Sequence, residues 1–341
     1  MFITLGIIIT SIAGLLLAQY IRKHKYSDDH KVCPLGKSCE PLVNGRFSRF
    51  LGVSTEKLGT IFYILMIIIY APSLFRAVPE GLLIAGLMIA GAGLAFCVYL
   101  AIAQIFVVKK WCTLSIGSIA LTFLVTVLAF LGYEDAFVEF AYNYQDLLRW
   151  LYMAGVIIGT LITTLHARRF MRFLKDFKIT RKEEGRLEMF SEVAWVCIGL
   201  SFLSGLGLVL TDRWQEFTGS PAFNVMLIIL VVLMVYEVVV NMVISPKLVG
   251  IHFGDIPKFD DHKHSMQRKT AFAFIAVGVV SWYYLLLLSS FQWYEYSSGK
   301  LFVAYIILTI LAVFVAMMVE TIVYRKSLAL RDAEKKTEEN N

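Results

Sequence analysis

An apolar window of about 20 residues, the length that carries a helix across a hydrocarbon core of roughly 30 Å, recurs nine times along this chain of 341 residues. The windows run approximately 2 to 20, 58 to 75, 81 to 108, 113 to 132, 148 to 166, 190 to 210, 223 to 245, 271 to 290 and 301 to 323. Composition agrees, since 58% hydrophobic residues against 17% charged and a mean hydropathy of +0.70 are far from the balance of a water-soluble domain. The expected fold class is therefore all-α: a polytopic membrane protein that keeps little of itself outside the bilayer. The first window reads as a retained helix and not as a cleavable signal peptide. Its apolar run is too long, no basic residue precedes it, and no small-residue cleavage site follows.

The chain divides by content. Cys33, Cys39, Cys97 and Cys112 all precede residue 133, and Cys197 alone lies beyond it. The stretch from Gly132 to Gln145, with Glu134, Asp135 and Glu139, is the one acidic break, so the predicted domains are a four-helix bundle over 1–132 and a further bundle of about five helices over 133–341. No internal repeat or low-complexity tract interrupts either part, and the charged end from Arg331 to Asn341 is expected to fray.

Two places carry candidate chemistry. Cys33 and Cys39 flank Pro-Leu-Gly-Lys-Ser in a polar loop, where Pro34 and Gly36 favour a turn and Lys31 and Lys37 favour the thiolate that exchanges with disulfides. A structural disulfide accounts for that pair equally well. Cys112 is the more telling residue: it follows Lys109, Lys110 and Trp111 and opens the fourth helix, so two ammonium groups and the positive end of the helix dipole favour its thiolate. Cys97, in mid-helix between Phe96 and Val98, and Cys197 read as small buried hydrophobes.

In the first 132 residues the chain resembles the vitamin K epoxide reductases and their bacterial homologues. Three segments carry the resemblance. The first is Cys33-x5-Cys39 with Leu42-Val43-Asn44-Gly45-Arg46-Phe47 and then Leu58-Gly59-Thr60-Ile61-Phe62-Tyr63. The second is Val98-Tyr99-Leu100-Ala101, and the third is Trp111-Cys112-Thr113-Leu114-Ser115. The resemblance implies a four-helix redox bundle that relays electrons between a thioredoxin-like partner and a membrane quinone of the ubiquinone or menaquinone type. It implies that Cys33 faces the partner, that Cys39 exchanges with Cys112, and that Phe62, Tyr63 and Tyr99 border the quinone. The family's fourth cysteine falls at position 115, where this chain has Ser115. A serine hydroxyl forms no disulfide, so the resemblance implies a relay arrested at its last step, with a Cys39–Cys112 bond that nothing resolves. Either the protein is a degenerate homologue or position 115 was changed to trap the intermediate; the survival of every other part favours the second.

The second half contains no cysteine pair, so a thioredoxin-like partner acts in trans, alongside lipid and quinone, and nothing in the pattern addresses nucleic acid. Glu237 and Asn241 share a helix face and read first as a packing contact. His166 reads as an interfacial histidine, and Asp260, Asp261, His262 and His264 as a solvated patch, so no metal site is expected. A function of another class, a transporter or binding protein with structural cysteines, has the same helix count; the ordered set of loop pair, tyrosine segment and helix-start cysteine argues for redox chemistry.

With nine alternating spans, 28 of the 32 lysines and arginines fall on one face, and only Arg76, Arg149, Arg213 and Lys300 on the other. The positive-inside rule makes the crowded face cytoplasmic. That face bears Cys33, Cys39 and Cys112, whereas the resemblance implies a cysteine loop on the exported side. The expectation taken from the charges is a plasma-membrane protein with an inward-facing site, an arrangement that suits cells using intracellular disulfides, as some thermophiles do.

Overall fold

The computed structural model describes residues 2–25, 48–105, 112–173, 181–209, 220–240, 261–291 and 296–339. Among them run nine long helices: α1 (Phe2–Lys25), α2 (Thr55–Tyr70), α3 (Glu80–Ala103), α4 (Thr113–Asn143), α5 (Gln145–Phe173), α6 (Arg181–Val209), α7 (Pro221–Val239), α8 (Asp261–Ser290) and α9 (Ser298–Glu339). Each contains a stretch long and apolar enough to cross a membrane. A two-stranded hairpin, β1 (Arg49–Phe50) and β2 (Val53–Ser54), precedes α2. The protein is a multi-pass, all-α membrane protein.

Eight spans fall where the apolar windows placed them to within a few residues. The fourth is longer, Thr113–Asn143 against a predicted 113–132. The expected break is present as a hinge at Tyr133 (φ −140°, ψ 23°), and the acidic stretch beyond it forms a second helical segment. The hinge is held from the side: the Tyr133 hydroxyl lies 3.0 Å from Thr4 Oγ1, and its ring centre 5.4 Å from that of Tyr70. Beyond the hinge Phe137 and Ala141 are buried while Glu134, Asp135 and Glu139 are exposed, so three carboxylates ride the wet side of an amphipathic turn.

The chain forms two compact units, residues 1–152 with 202–214 and residues 153–201 with 215–341. In the first, α1 to α4 pack around Ile7, Met66, Ile69, Tyr70, Leu87, Ala90, Val125 and Ala129. Association in lipid rests on close packing and interhelical hydrogen bonds, and both are present. Gly14 of α1 leaves no room for a Cβ against the Tyr63 ring, and a Cβ on Gly93 of α3 would come within 2.6 Å of Phe62 Cε2. The Tyr70 hydroxyl donates to the Leu83 carbonyl at 3.2 Å, and Thr126 Oγ1 donates to the Ala90 carbonyl at 3.1 Å.

The second unit uses the same devices. Ser220 caps α7 by accepting the Ala222 N–H at 3.3 Å, with Pro221 at the first helical position. Gly159 accepts the Trp282 ring and Gly278 the Tyr236 ring. Ser281 Oγ and Tyr305 Oη meet at 2.8 Å, and Tyr284 Oη donates to the Leu301 carbonyl at 2.8 Å.

Candidate functional site

Cys112 is the N-cap residue of α4, in extended conformation (φ −93°, ψ 114°), and 1% exposed. It is one half of a disulfide whose other half is neither Cys97 nor Cys197, both free thiols. The expected partners Cys33 and Cys39 lie outside the described residues, as do Lys31, Lys37, Lys109, Lys110 and Trp111. An N-cap position faces the N–H groups of the first helical turn, which have no intrahelical acceptor. The sulfur of Cys112 therefore stands where a helix most favours negative charge.

From Cys112 a cavity of about 410 Å³ opens into the first unit. Four elements and the hairpin wall it. α4 contributes Cys112, Ser115, Ser118 and Thr122, a stripe at steps of three and four residues that keeps one face toward the space. α2 contributes Phe62 and Tyr63, α3 contributes Phe96 and Cys97, α1 contributes Ala18, and Phe50, Leu51 and Val53 of the hairpin close the side. The hairpin turn places Leu51 (φ 49°) and Gly52 (φ 78°) in the left-handed region, as a two-residue turn between twisted strands requires. Glycine meets that requirement freely; Leu51 does not, at a cost of about 1 kcal/mol.

Tyr63 forms part of the wall. Its hydroxyl donates to the Ser118 carbonyl at 3.2 Å and lies 3.0 Å from Thr122 Oγ1. Its ring packs edge-on against Phe62 at 5.0 Å. Tyr99 stands behind the wall, its ring 5.4 Å from Phe50 and 6.1 Å from Phe96. With the Phe50–Phe96 contact at 5.2 Å, these three rings clamp the hairpin to α3. Phe62 and Tyr63 thus border the cavity directly, and Tyr99 backs two residues that do.

Two residues carry more than the sequence assigned them. Cys97 is buried, as expected, yet its side chain also lines the cavity. It lies beside Thr122, which is ten residues along α4 from Cys112, about 15 Å at 1.5 Å per residue. Cys97 and Cys112 therefore occupy opposite ends of the space, and Cys97 does not stand in for a sulfur at position 115. Gln104 is buried just past the end of α3. Its Oε1 accepts the Cys112 backbone N–H at 3.3 Å, and its Nε2 donates to Ser115 Oγ at 2.7 Å and to the Leu100 carbonyl at 3.4 Å. One side chain thus ties both ends of the Cys112–Ser115 turn to α3.

The other candidates serve packing. Glu237, buried on α7, accepts the Ser191 hydroxyl of α6 at 2.7 Å, an interhelical contact. Asn241 and Asp260 lie outside the described residues, and so do the side chains of Asp261, His262 and His264. His166, buried near the end of α5, packs against the Phe190 ring at 6.3 Å, over which Arg169 sits at 4.8 Å.

The first unit is thus a helical membrane bundle with a disulfide-bonded cysteine at a helix N-terminus beside a largely apolar cavity. Residues 4–130, a little over a third of the chain, match the model of the Vitamin K epoxide reductase family. The matched segment spans α1 through most of α4, the elements that build the cavity. No curated protein and no solved structure matches the chain.

Proposed function

We propose that the protein is a membrane thiol–disulfide oxidoreductase that relays electrons between a thioredoxin-like partner and a membrane quinone, held at an intermediate stage by Ser115. The observation that carries this reading is Cys112: disulfide-bonded, buried at the N-terminus of α4, and lining an apolar cavity within the first unit. A volume of about 410 Å³ is in the range of small-molecule sites. Its aromatic walls, with the Ser115 hydroxyl among them, fit a flat ring bearing carbonyl oxygens.

A bound quinone accepts two electrons and two protons. The protein's own part is exchange. In this chain the Cys112 thiolate attacks Cys39 of a Cys33–Cys39 disulfide: the Cys39–Cys112 bond forms as the Cys33–Cys39 bond breaks, and Cys33 leaves as a thiolate. In a complete inner pair a second sulfur one turn along α4 either leaves or resolves the bond that forms. Position 115 is that place, at i, i+3 from Cys112. With oxygen there, the Cys39–Cys112 bond persists and Cys33 is left as a thiol. Gln104 holds the turn in register throughout, and the rings of Phe50, Phe96 and Tyr99 keep water from the side.

The lysine and arginine distribution supports an inward-facing site in a plasma membrane. Non-reducing peptide mapping tests the relay. The expected result is a peptide pair joining residues 39 and 112; Cys33 joined to Cys39 with Cys112 free overturns the arrested-intermediate reading.

A further inference from the structure

The bonds of Gln104 settle which way its amide points. The Cys112 backbone N–H can only donate, so the atom 3.3 Å from it must be the oxygen; the Leu100 carbonyl can only accept, so the atom 3.4 Å from it must be the NH2 group. Two partners of opposite character fix one orientation. It follows that the 2.7 Å contact with Ser115 runs from Nε2 to Oγ, with the serine oxygen accepting. A hydroxyl that accepts in this way keeps its own hydrogen for another partner. Ser115 Oγ makes no second hydrogen bond among the described residues, and the side chain, half-buried, lines the cavity. The cavity lining is mostly apolar, with Ala18, Leu58, Phe62 and Leu114 in it, and also includes the buried side chain of Glu56.

We propose that Gln104 fixes the Ser115 hydroxyl as a hydrogen-bond donor into the cavity, where it holds a carbonyl oxygen of a quinone-type ligand. The inference rests on the reading of the cavity as a quinone site. It gives Ser115 a task that does not depend on electron transfer: the arrested protein still selects its ligand by the carbonyl. Gln104 is a positioning residue, buried and out of the cavity lining, and it acts on the ligand through Ser115.

The test compares two probes of nearly equal shape, 2-methyl-1,4-naphthoquinone and 2-methylnaphthalene, the second lacking both carbonyls. Equilibrium binding is measured to the full-length, oxidised protein in nanodiscs, with empty nanodiscs subtracted. One hydrogen bond of ordinary net strength corresponds to a preference of about five- to tenfold for the quinone. Ser115→Ala and Gln104→Leu should each abolish that preference while leaving affinity for the hydrocarbon unchanged, and Ser115→Thr, which keeps a hydroxyl, should retain it. Hydrocarbon binding reports an intact cavity in each variant, so a merely structural role for Gln104 moves both probes together and overturns the proposal. A preference that survives Ser115→Ala also overturns it, while leaving the quinone site standing. Failure of both probes to bind the unaltered protein overturns the quinone reading itself, and the inference with it.

Discussion

Substituting Gly93 by alanine tests whether the cavity wall is set by the contact between α3 and Phe62. The added Cβ would stand 2.6 Å from Phe62 Cε2 and 3.0 Å from Cδ2 and Cζ, so the ring must move. It is not free to go sideways, because Tyr63 packs against it at 5.0 Å and is itself bonded to Ser118 and Thr122. The open direction is into the cavity. Two opposing terms follow. Glycine to alanine inside a helix is favourable by up to about 1 kcal/mol, and overpacking of this kind costs about 1–3 kcal/mol. Gly93→Ala alone should therefore be neutral to destabilising by about 2 kcal/mol, the sum of those two terms. Phe62→Leu removes Cε2 and Cζ, two of the three clashing atoms, so in that background the same change should stabilise by up to about 1 kcal/mol. The assay is a double-mutant cycle on unfolding in mixed micelles, and the expected coupling between the two sites is about 1–3 kcal/mol. A coupling near zero would refute the argument, because Gly93→Ala would then act through helix propensity alone. Affinity for 2-methylnaphthalene should fall in Gly93→Ala and recover in the double variant, since the displaced ring occupies ligand space.

Three further outcomes follow from the same geometry. In the folded, reduced protein Cys112 should alkylate at least about tenfold faster than Cys97 or Cys197, since only Cys112 lies at a helix N-terminus; equal rates by mass spectrometry would remove its special role. Ser115→Cys should reduce a quinone with electrons from a dithiol while the chain as it stands does not, followed by quinone absorbance; equal turnover would show that position 115 is not where the relay stops. Reporter fusions should place Met1 outside and Asn341 inside, the outcome expected from nine spans among the described residues and a basic tail, and a tail reached from outside intact cells would put the cysteine loop in the oxidising compartment.

The spans were readable because lipid imposes one requirement, about 20 apolar residues per crossing, that a local window detects. The break expected at Gly132 falls at the Tyr133 hinge, but a second helical segment follows it to Asn143. In the fold, Phe137 and Ala141 carry the helix onward on one side while the carboxylates face out. Phe62, Tyr63, Cys112 and Ser115 were legible through motif order, and the fold brings all four to one cavity. Gln104 was not, since a lone glutamine at the end of an apolar run has no local signature. Its meaning comes from the Cys112 N–H and Ser115 hydroxyl, which the turn from α3 into α4 returns to it. The cavity role of Cys97 was hidden for a related reason: burial is visible in sequence context, but which space a buried thiol faces depends on the neighbouring helices. A stripe of small polar residues at positions 112, 115, 118 and 122 was the signal that could have marked the wall in advance.

The cap position of Cys112 ties the start of a helix to electron count. While its sulfur is bonded to another sulfur, the side chain makes no cap hydrogen bond to α4. Once reduced, a thiolate at that place can accept from the first-turn N–H groups, an interaction of about 1 kcal/mol by analogy with oxygen caps and charges at helix ends. The helix then favours the reduced state by the same amount, roughly 20 mV for a two-electron couple. Fraying or tightening the first turn of α4 therefore shifts how strongly this cysteine draws electrons, with no change in any sulfur, and a mutation that removes the Gln104 bond to the Cys112 N–H would register as a change in potential.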